Sequence, residues 1–161
     1  MRLIVSLCAA GLILTAIAAT AATAPPAGMP GPDAAALWRY ITQENPYQKW
    51  AQWGDFAGLQ PGRSPHGDFV AVYVNPPALQ PAKLPLAAGA LVVKEGYTAD
   101  KKLKSLTVMY KAPGYNPAAG DWYWVRYSPA GQAGPEGRPA GCIGCHSPAA
   151  ANDYVIAHQY R

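Results

Sequence analysis

Two cysteines and a histidine near the C-terminus have the spacing of a covalent cofactor site. Cys142, Cys145 and His146 form the pattern C-x-x-C-H, which is typical of c-type haem attachment. Two thiols at this spacing can add to the two vinyl groups on one edge of the porphyrin. The histidine that follows is then held beneath the iron as an axial ligand. The sequence therefore predicts one covalently attached haem c, with His146 as the proximal ligand of the iron.

Three other uses of these residues remain open at this point. A redox-active C-x-x-C pair is expected near the start of a βαβ unit, whereas this pair follows a Pro/Gly-rich stretch late in the chain. A structural disulfide between the two cysteines is a second alternative. A zinc site is the third, since its ligand types are acceptable; the candidate ligands are Cys142, Cys145, His146 and His158.

The N-terminal segment has the pattern of a secretory signal peptide. A positive charge at Arg2 precedes an apolar stretch over 3–19, and small residues follow. Cleavage is predicted after Ala21; it also removes Cys8 and leaves only the two cysteines of the motif. Because c-type haem is attached outside the bacterial cytoplasm, the leader and the motif both indicate a periplasmic protein. The predicted organisation is a signal peptide over 1–21, a flexible linker over 22–32 and a single haem domain over 33–161.

The composition excludes several broad classes of protein. Charged residues make up 14% of the 161-residue chain, and its ten Tyr and five Trp argue against disorder. The 16 Gly and 17 Pro argue against an all-helical bundle. Beyond the leader no apolar run reaches the roughly 18 residues that a membrane helix needs, so no membrane association is expected after cleavage. A formal charge of +4 is too small to favour nucleic-acid binding.

Residue periodicity predicts helices at both ends of the domain and strands in the middle. Asp33 is expected to cap a helix over 34–44, and Pro46 to begin a second helix that ends near Trp53. The remaining predicted elements are strands over 68–75, 90–97, 103–111 and 121–127, and a helix over 149–160. The predicted fold class is α+β: an antiparallel β-sheet core with N-terminal helices and a C-terminal helix that carries the c-type haem motif.

Several short segments, taken in order, carry a resemblance to a known family. They are Ser64-Pro65-His66-Gly67, Val72-Tyr73-Val74-Asn75, Val92-Val93-Lys94-Glu95, Val108-Met109-Tyr110-Lys111, Gly120-Asp121-Trp122 and the haem motif. The chain resembles the cytochrome P-460 family, which includes the β-sheet cytochromes c′ (cytochrome c′-β). The resemblance implies a periplasmic mono-haem protein, commonly a homodimer, with an open distal site. Such proteins oxidise hydroxylamine or bind nitric oxide and carbon monoxide.

The resemblance also implies a role for Lys94, because the enzymatic members join a lysine covalently to the edge of the haem. Strand alternation places Lys94 on one face and Glu95 on the other. An amine in a dry pocket has a lowered pKa, so that a larger fraction is neutral and nucleophilic. The alternative is that both residues are ordinary polar side chains on a half-exposed strand.

One departure from the family pattern bears on catalysis. The hydroxylamine-oxidising members place a carboxylate over the iron from the following strand, whereas the corresponding stretch over 106–109 has no Asp or Glu. Thr107 or Met109 is expected to line the distal pocket instead. Met109, His66 and His158 are possible second ligands of the iron, but a core position for Met109 and loop positions for the two histidines are favoured. Candidate partners of the haem carboxylates are Arg63, Arg126 and Arg138.

Three functions follow as hypotheses. The first is an oxidoreductase that acts on hydroxylamine or nitric oxide through a haem modified by Lys94 and passes electrons to another cytochrome. The second is a protein that binds nitric oxide or carbon monoxide without turnover, which the missing carboxylate favours. The third is a plain electron carrier in which both axial positions of the iron are filled by protein ligands.

Overall fold

The structure is a computed structural model that describes residues 26–160. The predicted signal peptide and the first residues of the predicted linker lie outside the described residues. Six strands form one antiparallel sheet in which each strand pairs with the next along the chain. They are β1 (Gln60–Pro61), β2 (Phe69–Val74), β3 (Leu91–Tyr97), β4 (Leu103–Lys111), β5 (Trp122–Tyr127) and β6 (Ala133–Gly137). The α-helices are α1 (Ala34–Arg39), α2 (Pro76–Leu79) and α3 (Ala140–His146).

One face of the sheet is covered by the N-terminal helix. The Asp33 carboxylate caps α1 by accepting a hydrogen bond from the Ala36 N–H at 2.8 Å, and the helix continues as a π-helical turn over Tyr40–Glu44. Leu37 and Ile41 are fully buried. Together they pack on a cluster of strand residues that includes Leu91, Val93, Leu106, Val108, Tyr110, Tyr123, Val125 and Tyr127. This face is therefore a closed hydrophobic core.

The opposite face is covered by the C-terminal part of the chain. Its buried cluster contains Val72, Val74, Val92, Met109, Trp122, Trp124 and Val155, with Cys142 and Ile143 packed against it. Antiparallel register aligns residues of β3, β4 and β5 across this face, since side chains alternate between faces along each strand. Two rows of opposed residues result, Val92–Met109–Trp124 and Lys94–Thr107–Arg126.

The predicted fold class is confirmed, and the four predicted strands correspond to β2, β3, β4 and β5. Two short strands were not predicted, because β1 and β6 lie in stretches rich in Pro and Gly. Their pairing depends on β2 and β5, respectively, which are their only neighbours in the described sheet. The predicted helix that starts at Pro46 is wrong. Only a 3₁₀ turn over Tyr47–Lys49 forms. Trp53 is buried in the core, where its indole N–H donates to the Ala78 carbonyl at 3.3 Å.

The predicted helix over 149–160 is also wrong. The C-x-x-C-H segment lies on α3 and is followed by a 3₁₀ helix over Ser147–Asn152. Asp153 and Tyr154 then adopt the left-handed conformation, with φ of 51° and 65°, which ends the helix. Side-chain bonds favour this turn over a helix, because the Asn152 amide donates to the Val155 carbonyl at 2.7 Å. No helix among residues 26–160 is long and apolar enough to cross a membrane.

A buried ion pair fixes the C-terminal turn to the sheet. Lys111 Nζ lies 2.6 Å and 2.7 Å from the two carboxylate oxygens of Asp153, and both residues are buried. The same carboxylate accepts the Leu86 N–H at 2.7 Å. The Trp122 indole N–H donates to the Asp153 carbonyl at 2.9 Å. The left-handed backbone at Asp153 is therefore held by contacts to three separate segments.

We expect the Lys111→Met variant to lose about 3–5 kcal/mol of unfolding free energy, because an unpaired buried carboxylate would remain. Chemical denaturation of the haem-loaded protein would measure the loss. Lys102→Met is the matched control, since Lys102 pairs with Asp100 on the surface and exposed pairs contribute little. Equal midpoints for the two variants would contradict a structural role for the buried pair.

Candidate functional site

A cavity opens between the sheet and the C-terminal segment. Its volume is about 370 Å³, within the range of small-molecule and cofactor sites. A second cavity of about 210 Å³ adjoins it and shares Lys94, His66, Cys145 and His146 in its lining. All six residues predicted as cofactor or catalytic site residues line the larger cavity: Lys94, Thr107, Met109, Cys142, Cys145 and His146. Folding thus brings together residues from β3, β4 and α3.

His146 has the orientation of a metal ligand. Its Nδ1 lies 2.8 Å from the Tyr154 carbonyl oxygen. Because a carbonyl can only accept, Nδ1 carries the hydrogen and Nε2 keeps its lone pair. The imidazole is buried and packs edge-on against Trp124, with ring centroids 4.8 Å apart. Burial lowers the pKa of His146, with a smaller contribution from the positive charge of Lys94. The ring is therefore neutral and fixed in the tautomer that a haem iron requires.

The two cysteines lie one helical turn apart on α3. Their thiols are not joined as a disulfide. Cys142 is half-buried, and burial raises the pKa of its thiol, whereas Cys145 is exposed. A disulfide-free pair beside a cavity is the arrangement that thioether attachment needs.

The zinc alternative is not supported by the geometry. In the described chain no group of three or more His, Cys, Asp or Glu side chains could hold a metal ion. His158, the proposed fourth ligand, instead contacts the Asp55 carboxylate at 2.8 Å and stacks on Trp53 with centroids 4.9 Å apart. Its ring is thus engaged away from the two thiols.

Lys94 lies on the cavity face of β3, as strand alternation predicts. Burial lowers the pKa of Lys94 to about 8, with a further contribution from the positive charge of Arg63. A substantial fraction of the amine is neutral near this pH and available as a nucleophile. Glu95 lies on the other face, where it accepts hydrogen bonds from Tyr47 at 2.7 Å and Tyr97 at 2.5 Å. The neighbouring carboxylate therefore takes no part in the cavity.

His66 is the cavity residue that sequence reasoning set aside as a loop residue. Its ring is half-buried, with Nδ1 3.2 Å from the Thr107 hydroxyl oxygen and its centroid 6.3 Å from that of His146. Burial lowers the pKa of His66 to about 3, aided by the positive charges of Lys94 and others nearby. His66 is therefore a neutral imidazole that lies near His146, with the two rings edge-on to each other.

Backbone packing, rather than helix or strand structure, positions His66. A Cβ on Gly96 would clash with the His66 carbonyl oxygen, and Gly67, at φ 147°, lies so close to Tyr97 that a Cβ would clash with its backbone. The following Asp68 N–H donates to the Tyr97 carbonyl at 2.8 Å. The glycine after His66 and the glycine within β3 are the only sequence signals of this close approach. Neither glycine identifies this backbone contact unless the pairing of the strands is known.

The lining is cationic. Lys94 and Arg126 line the larger cavity and Arg63 the adjoining one, and neither lining contains an Asp or Glu. Arg138, the third arginine considered for the haem carboxylates, lies elsewhere, because it donates to the Tyr115 carbonyl and stacks on the Tyr115 ring. Arg126 and Arg63 therefore remain as the candidates for binding an anionic group.

These residues fit a haem. The porphyrin is a flat apolar group with two carboxylates, and the site combines apolar walls with cations and no opposing acid. Cys142 and Cys145 would hold the haem covalently and His146 would bind its iron.

An antiparallel sheet that carries such a site on one face defines a β-sheet haem protein, distinct from the helical cytochromes. The profile of the cytochrome P460 family matches residues 44–157, which is more than half of the chain. The protein belongs to the cytochrome P460 family, and the resemblance inferred from its short segments is confirmed. It is therefore a haem cytochrome. No curated protein sequence matches the chain.

We expect the double variant Cys142→Ala/Cys145→Ala to carry no haem on the peptide that contains residues 142–146, because both thioether positions are lost. Mass spectrometry of that peptide, from a host that attaches c-type haem, would measure this. Ser147→Ala is the control, since its exposed hydroxyl bonds only the Gly144 carbonyl. A haem mass on the alanine-containing peptide would contradict thioether attachment.

Proposed function

We propose that this protein is a periplasmic mono-haem cytochrome c that oxidises hydroxylamine or nitric oxide at a haem modified by Lys94. Electrons would pass to a redox partner such as another cytochrome. The observation that carries the proposal is the placement of a partly neutral Lys94 amine in the same cavity as Cys142, Cys145 and His146. Because proteins of the family that the chain resembles are commonly homodimers, we propose that the functional form of this protein is a homodimer.

Different side chains would have different roles in the site. His146 would bind the iron through Nε2, while its Nδ1–H donates to the Tyr154 carbonyl and fixes the ring. Arg126 and Arg63 would balance the charge of the haem carboxylates. The haem would supply an iron whose redox chemistry the axial ligand and the surrounding dielectric tune. Trp53 and Val92 contribute to the walls that limit access of water to the cavity.

Covalent modification by Lys94 would use its neutral amine. Joining Nζ to a carbon of the porphyrin edge removes one hydrogen from each partner. An oxidant of the peroxide class would take up the two electrons and two protons released. The low pKa of Lys94 favours this bond, because only the neutral amine has a lone pair to donate.

A second function, binding of nitric oxide or carbon monoxide without turnover, is favoured by a specific observation. Hydroxylamine oxidation releases protons, and a positioned base contributes roughly 10²–10⁴-fold to such reactions. No carboxylate lines either cavity. His66, with a pKa of about 3, is too weak a base to substitute effectively. Nitric oxide or carbon monoxide could therefore bind at this site even if the oxidation of hydroxylamine is slow.

We expect Lys94→Ala to keep its haem through the two cysteines but to change its absorbance spectrum. The wild-type ferrous Soret band should lie to the red of an ordinary c-type haem, and that of the variant should return to the ordinary position, because the bond to the macrocycle is lost. Lys104→Ala is the matched control, since Lys104 is an exposed lysine on β4. Identical spectra for wild type and Lys94→Ala would exclude the modification.

Turnover separates the two functions. We expect the wild-type protein to reduce an artificial electron acceptor when hydroxylamine or nitric oxide is supplied, and Lys94→Ala to lose this activity while still binding nitric oxide. Stopped-flow absorbance would follow both events. Binding of nitric oxide and carbon monoxide with no acceptor reduced in the wild-type protein would replace the oxidase proposal with gas binding.

A further inference from the structure

We propose that the buried ion pair of Lys111 and Asp153 positions His146, and thereby determines how strongly its imidazole donates to the haem iron. This role rests on the proposed haem function. Neither residue of the pair lines the two cavities, so that their influence on the iron would pass through the chain between them and His146. The connecting group is the Tyr154 carbonyl, whose oxygen lies 2.8 Å from the His146 Nδ1.

The pair lies at the end of β4, where it joins three segments of the chain. Lys111 Nζ is 2.6 Å and 2.7 Å from the two carboxylate oxygens of Asp153, and 4.8 Å from the centroid of the Trp122 ring. The Asp153 carboxylate also accepts the Leu86 N–H at 2.7 Å. Two charges removed from water contribute little net stability compared with apolar side chains of similar size. A pair at this depth therefore indicates a role besides stability.

The pair holds a backbone turn that these residue types seldom adopt. Asp153 and Tyr154 are successive non-glycine residues in the left-handed conformation, at φ 51° and 65°, which is costly for L-residues unless surrounding contacts hold it. The side chain of Asp153 is held by Lys111, and its carbonyl accepts the Trp122 indole N–H at 2.9 Å. Without the pair, the turn would lose its ionic contact with β4.

The turn determines the direction of the Tyr154 carbonyl. The N–H of the same peptide group, contributed by Val155, donates to the Asn152 carbonyl at 3.1 Å, so that a chain of hydrogen bonds runs from His146 through this peptide to Asn152. Hydrogen bonds in such a chain polarise one another. A carbonyl held against Nδ1–H raises the basicity of the imidazole as a ligand. A more basic imidazole stabilises ferric iron and lowers the reduction potential.

The contacts within α3 do not replace this carbonyl. α3 ends at His146, and Tyr154 is the hydrogen-bond partner of the imidazole among the described residues. Trp124 contacts the ring edge-on, with centroids 4.8 Å apart, which packs the imidazole but offers Nδ1 no oxygen. The strength of donation to the iron therefore depends on the turn, and the turn depends on the pair.

Resonance Raman spectroscopy of the haem-loaded ferrous protein, without added ligand, measures the bond between iron and histidine. We expect Asp153→Asn to lower the iron–histidine stretching frequency, because the Tyr154 carbonyl is held less firmly against Nδ1. This substitution keeps an acceptor for the Leu86 N–H, and asparagine tolerates a left-handed backbone, so that the domain still folds. A frequency equal to that of the wild type would overturn the proposal.

The double variant Lys111→Met/Asp153→Asn separates positioning from charge. The pair has no net charge in the wild type or in the double variant, so that the direct electrostatic effect on the iron is small. Removing both partners also avoids an unpaired buried charge. We expect the equilibrium constant for one-electron reduction of the haem to rise at least about tenfold, which is about 59 mV in potential. An unchanged potential in the double variant would contradict the positioning role.

Leu37→Ala is the matched control for lost stability. Leu37 is fully buried in the core on the other face of the sheet, and its truncation destabilises the domain through a cavity without changing the C-terminal turn. We expect its stretching frequency and potential to equal those of the wild type. Equal shifts in Leu37→Ala and in the double variant would reduce the pair to a general structural role and overturn the proposal.

Two results separate this role from the proposed function. Haem-loaded protein in which the wild type and the double variant agree in both measurements overturns the positioning role alone. Wild-type protein without haem overturns the proposed function, and the positioning role with it.

Discussion

The buried ion pair between Lys111 and Asp153 is the constraint on which the site depends. It joins the end of β4 to the C-terminal turn and holds Asp153 in a left-handed conformation. The next residue, Tyr154, then presents its carbonyl to His146. His146 is consequently oriented by the sheet, through this turn, as well as by the helix on which it lies. Without the ion pair, nothing in α3 itself would select the tautomer of the ring.

The sheet also separates the side chains of two charged residues that are adjacent in sequence. Lys94 lies on the cavity face, whereas Glu95 lies on the face covered by α1, where it accepts hydrogen bonds from Tyr47 and Tyr97. These bonds raise the pKa values of both tyrosines, after the larger effect of burial. A direct charge pair between the two neighbours is thereby avoided. The amine remains in a cationic, carboxylate-free cavity, where burial, and then the positive charge of Arg63, lower its pKa.

The cavity is built from three paired strands and a loop. β3, β4 and β5 supply Lys94, Thr107 and Arg126 as one fixed row, since neighbouring strands define their spacing. His66 enters from a loop and is positioned by its backbone contact with Gly96.

Sequence alone determined what local chemistry and periodicity encode. The spacing of Cys142, Cys145 and His146 indicates haem attachment, and strand alternation places Lys94 and Glu95 on opposite faces of the sheet. The tertiary structure decided the remainder. Three features depend on partners that are distant in the chain. They are the position of His66, the placement of Arg126 rather than Arg138 in the cavity, and the turn that forms where a C-terminal helix was predicted. Local patterns cannot encode such contacts, because a loop residue or a buried charge is positioned only by what packs against it.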